Sequence, residues 1–155
     1  MKIVFEKLRK RFVSKNGIVD AVKNVDLEVG DGEFFILLGP SGCGKSTLLN
    51  LAAGLEKPTD GRILFGKKVM AAPGKRIFVP PGERNVAMVF QNYALYPHMK
   101  VFENIAFPLR VAKMDEGGIE KAVRKTAGML GIEELLDRKP AELSGGQRQR
   151  VAISR

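Results

Sequence analysis

Three features of this 155-residue sequence predict an α/β fold. A wholly apolar run, Phe34-Phe35-Ile36-Leu37-Leu38, leads into a glycine-rich loop and then a helical pattern, the strand–loop–helix order of an α/β core. Segments that alternate apolar and polar residues precede it, as antiparallel strands do. Helical periodicity takes over beyond Pro97.

Taken in order, Ile3 to Leu8 and Ala21 to Val29 alternate well enough to be half-buried strands, with Asn16-Gly17 as the turn of an opening hairpin. Gly30-Asp31-Gly32 is a second turn. Glu33 to Leu38 then reads as a strand buried on both faces, as in a parallel sheet. From Lys45 to Ala53 the pattern is helical, and Gly54 closes it. Gly61 to Phe65 is another strand, and Pro73, Gly74, Pro80, Pro81 and Gly82 mark a loop-rich excursion. Asn85 to Phe90 is a second buried-strand candidate. Val101 to Met114 and Ile119 to Leu130 carry apolar residues at helical spacing, with Pro108 interrupting the first and Gly117-Gly118 separating the two. A helical subdomain inserted into the α/β core is the reading that follows.

The formal net charge of +9 brings acidic partners into consideration: nucleic acid, anionic lipid or a nucleotide's phosphates. The basic residues are scattered, from Lys7, Arg9, Lys10 and Arg11 to Arg148, Arg150 and Arg155, without the dense, aromatic-interleaved strip of a nucleic-acid surface. No nucleic acid is expected. A single cysteine, Cys43, excludes an internal disulfide framework, and no basic-then-apolar leader is present, so the chain reads as cytosolic. No stretch approaches the about 20 apolar residues that cross a bilayer. A membrane role would be peripheral, through partners.

Gly39-Pro40-Ser41-Gly42-Cys43-Gly44-Lys45-Ser46-Thr47 fits the phosphate-binding pattern of Gly, four residues, then Gly-Lys-Ser/Thr, and it lies between strand and helix, where that pattern has meaning. Glycines let the backbone curl so that successive N–H groups form an anion nest, and the following helix adds its positive end. Lys45 would reach the β/γ-phosphates and the Ser46 hydroxyl would ligate Mg²⁺. The bland alternative is a glycine turn without a ligand. Leu143-Ser144-Gly145-Gly146-Gln147 is the second motif. By itself it is a helix N-terminus capped by Ser144, and such an end is an anion site too.

The second motif matches the signature of ATP-binding cassette (ABC) proteins letter for letter, and the chain resembles that family over essentially all its length. The resemblance implies a P-loop NTPase core, incomplete at the C-terminus, with residues 1–92 as β subdomain and core, 93–142 as helical subdomain, and 143–155 as the signature and the start of the next helix. It implies ATP and Mg²⁺ as cofactors. Residues Ser144, Gly145, Gly146 and Gln147 would bind, in trans, the γ-phosphate of ATP held by another subunit, making the protein a homodimer or a cassette heterodimer. Gln91 would be the Q-loop glutamine that touches Mg²⁺ or the attacking water. Phe12 sits where the family keeps an aromatic residue that stacks on adenine, a hairpin-core role being the alternative.

The segments Ala87 to Met99 and Phe102 to Leu109 are similar to the sugar-importer branch typified by the maltose transporter ATPase. That likeness implies an importer for carbohydrates at the cytoplasmic face of the membrane, with transmembrane permease subunits docking near Gln91–Asn104. Tyr93, Leu95, Tyr96 and Met99 would be exposed anchors there, or would pack the subdomain's own core. The family's later catalytic residues, a Walker B glutamate and a switch histidine, are not in the chain. Asp115-Glu116 and His98 lie at the wrong places for those roles. The 155 residues alone are expected to bind nucleotide, to hydrolyse it hardly at all and to be poorly soluble. An ABC ATPase acting on nucleic acid or ribosomes, or a non-catalytic truncated remnant, are the alternatives.

Overall fold

The computed structural model describes residues 1–15 and 17–155, so the Asn16 half of the predicted Asn16-Gly17 turn lies outside the described residues. The chain divides into two units, Met1–Met88 and Val89–Arg155.

The first unit is built on an antiparallel sheet of five strands in the order β2-β1-β3-β4-β5. Its strands are β1 (Ile3–Ser14), β2 (Gly17–Val29), β3 (Asp60–Phe65), β4 (Lys68–Ala72) and β5 (Ile77–Phe78). Strand β1 pairs with β2 from Ile3↔Val29 to Ser14↔Gly17 and with β3 from Ile3↔Phe65 to Arg9↔Asp60. Its alternation puts Phe5 into the core, and the irregularity between Phe5 and Leu8 keeps Leu8 on the buried side as well. At that irregularity Lys7 has φ 46°, and its N–H donates to Asp26 Oδ1 at 2.8 Å. Helix α1 (Lys45–Ala53) sends Leu48 and Leu51 into the same core, against Phe5, Leu8, Ile63 and Phe65.

Two predicted strands are absent. Glu33 to Leu38 and Asn85 to Phe90 form no ladder with any described residue, and most of their apolar side chains are exposed, Phe34 at 89% and Leu38 at 88%, although Leu37 packs on the core. The cause is pairing: a strand of a parallel sheet draws its hydrogen bonds from neighbours on its sides, and among the described residues neither run has a ladder partner. Strand β4 was unforeseen, because its five residues sit inside the proline- and glycine-marked excursion and are recruited by β3 through the register Phe65↔Lys68.

Arg84, 1% exposed, holds the first unit together from within. Its guanidinium donates to the carbonyls of Val79 at 2.8 Å, Leu51 at 2.8 Å and Ala52 at 2.9 Å, and so caps the C-terminal end of α1. Burial pulls its pKa below the ordinary arginine value. Gly54, with φ 81°, closes α1 where a Cβ would sit 2.5 Å from Arg84 Nε, so a side chain there would expel the guanidinium.

The second unit contains helices α2 (Val101–Val111), α3 (Glu116–Leu130) and α4 (Gly145–Ser154) around Val101, Ile105, Ile119, Val123, Ile132 and Val151. Pro108 does not interrupt α2, which runs through it to Val111. The missing proline N–H removes one bond near the helix end, and Ala112 N still donates to Pro108 O at 3.0 Å. Gly117-Gly118 does not separate the helices either: both lie in the first turn of α3, where Gly118 N donates to the N-cap carboxylate of Asp115 at 2.8 Å. The break falls earlier, at Lys113 with φ 59°. Across it Arg110 pairs with Glu116, and within α2 it pairs with Glu103; its hydrogen bonds to Glu116 and then Glu103 raise its pKa.

Candidate nucleotide site

The loop 39–44 feeds directly into α1. Gly42 and Gly44 take left-handed backbone conformations, with φ of 80° and 97°, and Gly44 is the N-cap. A glycine cap offers no side chain, and α1 has no acidic residue in its first turn, so the helix presents its N–H groups and positive end without a competing anion. Gly44 also packs main chain on main chain: a Cβ would lie 2.2 Å from the Ala21 carbonyl oxygen. The loop is thereby seated on β2. Lys45 Nζ donates to Gly39 O and Pro40 O, each at 2.7 Å, and lies 3.5 Å from Cys43 Sγ. An anion in the nest would exchange these carbonyl bonds for phosphate oxygens of opposite charge, a gain for the lysine. Ser41, Ser46 and Thr47 complete the predicted loop, with Ser41 and Ser46 exposed.

A cavity of about 510 Å³ opens between this loop and β2, lined by Val19, Asp20, Ala21, Gly42, Gly44 and Lys45 among others. Phe12 is the register partner of Val19, so the hairpin brings the predicted base-stacking ring to the strand that walls the cavity. Phe12 is 39% exposed. Asp20 accepts from Arg11 Nε at 2.9 Å and from Arg9 Nη2 at 3.0 Å.

These two arginines hold the Asp20 carboxyl well below the usual carboxylate range, the hydrogen bond from Arg11 contributing most. A depressed carboxylate favours the folded state fully above its unfolded pKa of about 3.9. Its contribution is lost progressively as pH falls from there through the folded value. Accordingly, Asp20→Asn is expected to lower the urea midpoint at pH 7, and the difference from the parent should shrink below about pH 4. A gap that stays constant down to pH 2 would remove Asp20 from this role.

In the second unit Ser144 caps α4 and forms a reciprocal box with Gln147: Gln147 N donates to Ser144 Oγ at 3.3 Å, and Ser144 N donates to Gln147 Oε1 at 2.8 Å. The box leaves the Ser144 hydroxyl hydrogen and the first-turn amides of Gly145 and Gly146 at an exposed helix end. Gln91 is exposed. Tyr93, Leu95, Tyr96 and Met99 are half-buried, between the two roles expected for them. Leu95 packs on the helical core, and Tyr96 lies edge-on to Phe107 at 5.0 Å, beneath the Arg155 guanidinium at 4.3 Å. The exposed positions of the segment 91–104 are Gln91, Asn92, Ala94, Pro97, His98 and Lys100.

Sequence reasoning missed Asn104 as an organiser of this segment. Fully buried, it accepts from Tyr96 N at 2.8 Å and donates toward the carbonyls of Tyr96, Met99 and Lys100, each at 3.1 Å. The only sequence signal is an amide inside an otherwise apolar helical stripe.

The family description "ABC transporter" matches residues 22–155. The chain belongs to the ABC transporter family. Among curated ABC relatives, it is 61% identical over 139 residues to the trehalose/maltose import ATP-binding protein MalK of Thermococcus litoralis, covering 90% of this chain and 37% of that protein. It is 52% identical over 154 residues to the sn-glycerol-3-phosphate import ATP-binding protein UgpC of Brucella abortus, covering 99% of this chain and 41% of that one. The chain thus spans about two fifths of the length of these relatives. A solved structure, the dimeric ATP-binding cassette MJ0796 in a post-hydrolysis state bound to ADP and Pi, superposes with a TM-score of 0.79 at 30% identity, over 98% of this chain and 67% of that one. The ABC cassette is therefore the fold, as the sequence predicted. Among the described residues no helix is long and apolar enough to cross a membrane.

Proposed function

We propose that this chain is the ATP-binding part of an ABC importer ATPase that drives uptake of a carbohydrate-class solute from the cytoplasmic face of a membrane. The observation that carries the reading is the loop 39–44, seated by Gly44 on β2 and opening the uncapped α1 N-terminus toward a cavity that Lys45 lines. The relatives named as import ATP-binding proteins support the importer assignment, and the maltose and glycerol-phosphate names support a polyol or sugar solute.

In this mechanism the amides of Gly42, Cys43, Gly44 and Lys45 bind the β-phosphate, and Lys45 Nζ bridges to the γ-phosphate. Phe12 stacks on the base. The Ser144 hydroxyl and the first-turn amides of α4 grip the γ-phosphate of ATP carried by a second subunit, so that two-fold pairing encloses both nucleotides. Ser46 Oγ, a hard oxygen donor on an exposed residue, would hold Mg²⁺ as a partly hydrated ion, and Gln91 carries the amide oxygen that the cassette resemblance assigns to the same ion. Among the described residues no cluster of His, Cys, Asp or Glu could hold the ion alone. When bound, Mg²⁺ neutralises charge developing on the transferred phosphoryl group. Permease subunits dock at the segment 91–104, where Asn104 fixes the backbone that meets them.

The test is Lys45→Ala in the full-length protein. Loss of the charge-assisted phosphate contact is expected to weaken ATP binding about tenfold or more and to stop solute uptake. Unchanged ATP affinity and uptake would overturn the assignment.

A further inference from the structure

Lys10 lies on the same strand as Phe12, two residues away. Its Nζ stands 4.6 Å from the centroid of the Phe12 ring. The ammonium is not a loose surface charge, for the Lys10 side chain is only 13% exposed. Nζ donates to Glu56 Oε2 at 2.7 Å and to the Lys57 carbonyl at 3.0 Å. Glu56 is in turn anchored to α1, since its N–H and that of Leu55 both donate to the carbonyl of Asn50 in the last turn, at 3.2 and 2.9 Å. Thr59 continues the seam, its Oγ1 accepting from Arg11 N at 2.9 Å and its N–H donating to Arg9 O at 2.8 Å.

An unbroken series of contacts therefore runs from the phosphate loop through α1 and Glu56 to Lys10 and the Phe12 ring. A ring has two faces, and the ammonium takes one of them, leaving the other to a planar partner. The cation polarises the ring through its quadrupole and fixes its plane.

We propose that Lys10 is a positioning residue for the nucleotide base: it backs Phe12 from behind and ties the ring to the helix that carries the phosphate loop, so that base and phosphates are gripped by one rigid frame. The inference rests on the reading that Phe12 stacks on the base. Lys10 touches no nucleotide atom itself and acts only through Phe12.

The test measures the affinity of the full-length protein for ATP and for inorganic tripolyphosphate, which offers the same phosphates without a base. Lys10→Met is expected to weaken ATP binding about threefold to tenfold while leaving tripolyphosphate within about twofold. Lys10→Arg, which keeps the cation, should restore most of the ATP affinity. In a Phe12→Ala background the Lys10→Met change should add nothing further. Equal losses for ATP and tripolyphosphate would mean that Lys10 serves only the general structure, and would overturn the proposal. So would an unaltered ATP affinity in Lys10→Met alongside a clear loss in Phe12→Ala, with base stacking left standing. If Phe12→Ala binds ATP as the parent does, the stacking reading itself fails, and the role of Lys10 with it.

Discussion

Gly44→Ala in the full-length protein is expected to weaken ATP binding about a hundredfold or more, beyond the loss from removing the Lys45 charge. Two independent penalties act at this position. The added Cβ would stand 2.2 Å from the Ala21 carbonyl oxygen, and both partners are main chain, so no side chain can swing aside. The residue also has φ 97°, where an L side chain is strained by about 1–3 kcal/mol. Relief requires the loop to lift from β2, which misaims the amides of Gly42 through Lys45 at once. Isothermal titration with ATP measures the loss, and circular dichroism of the same sample separates it from unfolding. A variant that binds ATP within about tenfold of the parent would show that the loop does not depend on this seat.

The second large effect concerns stability. Arg84→Ala is expected to destabilise the first unit by about 3–5 kcal/mol, within the range for breaking a buried polar network. The carbonyls of Leu51, Ala52 and Val79 each lose a charged donor, and burial denies the Leu51 carbonyl water in exchange. The end of α1 loses the cation that offsets its dipole. Arg84→Lys keeps a charge but cannot fork to three acceptors, so an intermediate loss is expected. Urea unfolding of the full-length variants, followed by a probe in the first unit, should show the midpoint falling by more than about 1 M for the alanine change. An unmoved midpoint would mean that the network contributes nothing net.

What could be read from sequence follows a physical line. Helix α1 was legible to its end residues because Gly44 and Gly54 bound it with local chemistry. The opening hairpin was legible through alternation, although β1 extends to Ser14 and β2 starts at Gly17, further than the pattern alone carried. The runs 33–38 and 85–90 announce what a buried strand needs but not what would lie beside it, and the structure leaves them unpaired. Gly117-Gly118 reads as a breaker on propensity alone, and the Asp115 cap accommodates the pair in the first turn of α3. In the site, the phosphate loop and the Ser144 box were visible as contiguous motifs. Lys10 and Arg84 were not, since their partners are distant carbonyls and a ring, and no spacing rule connects position 84 to 51 or 10 to 56. The cover over Tyr93 and Tyr96 was likewise hidden, because Arg148 of α4 and Arg155 at its C-terminal end supply it.

The buried, neutral surroundings of Arg84 set it apart from the ion-paired arginines in how it answers to electrolyte. The pairs of Arg110 with Glu103 and Glu116, and of Arg9 and Arg11 with Asp20, stand at least partly in water. In molar salt, where the screening length shrinks to about 3 Å, their attraction fades. The guanidinium at position 84 binds carbonyl dipoles at contact distance, where no dissolved ion can intervene. Brine should therefore loosen the rim of the sheet and the α2–α3 corner while leaving the anchorage of the phosphate-loop helix untouched.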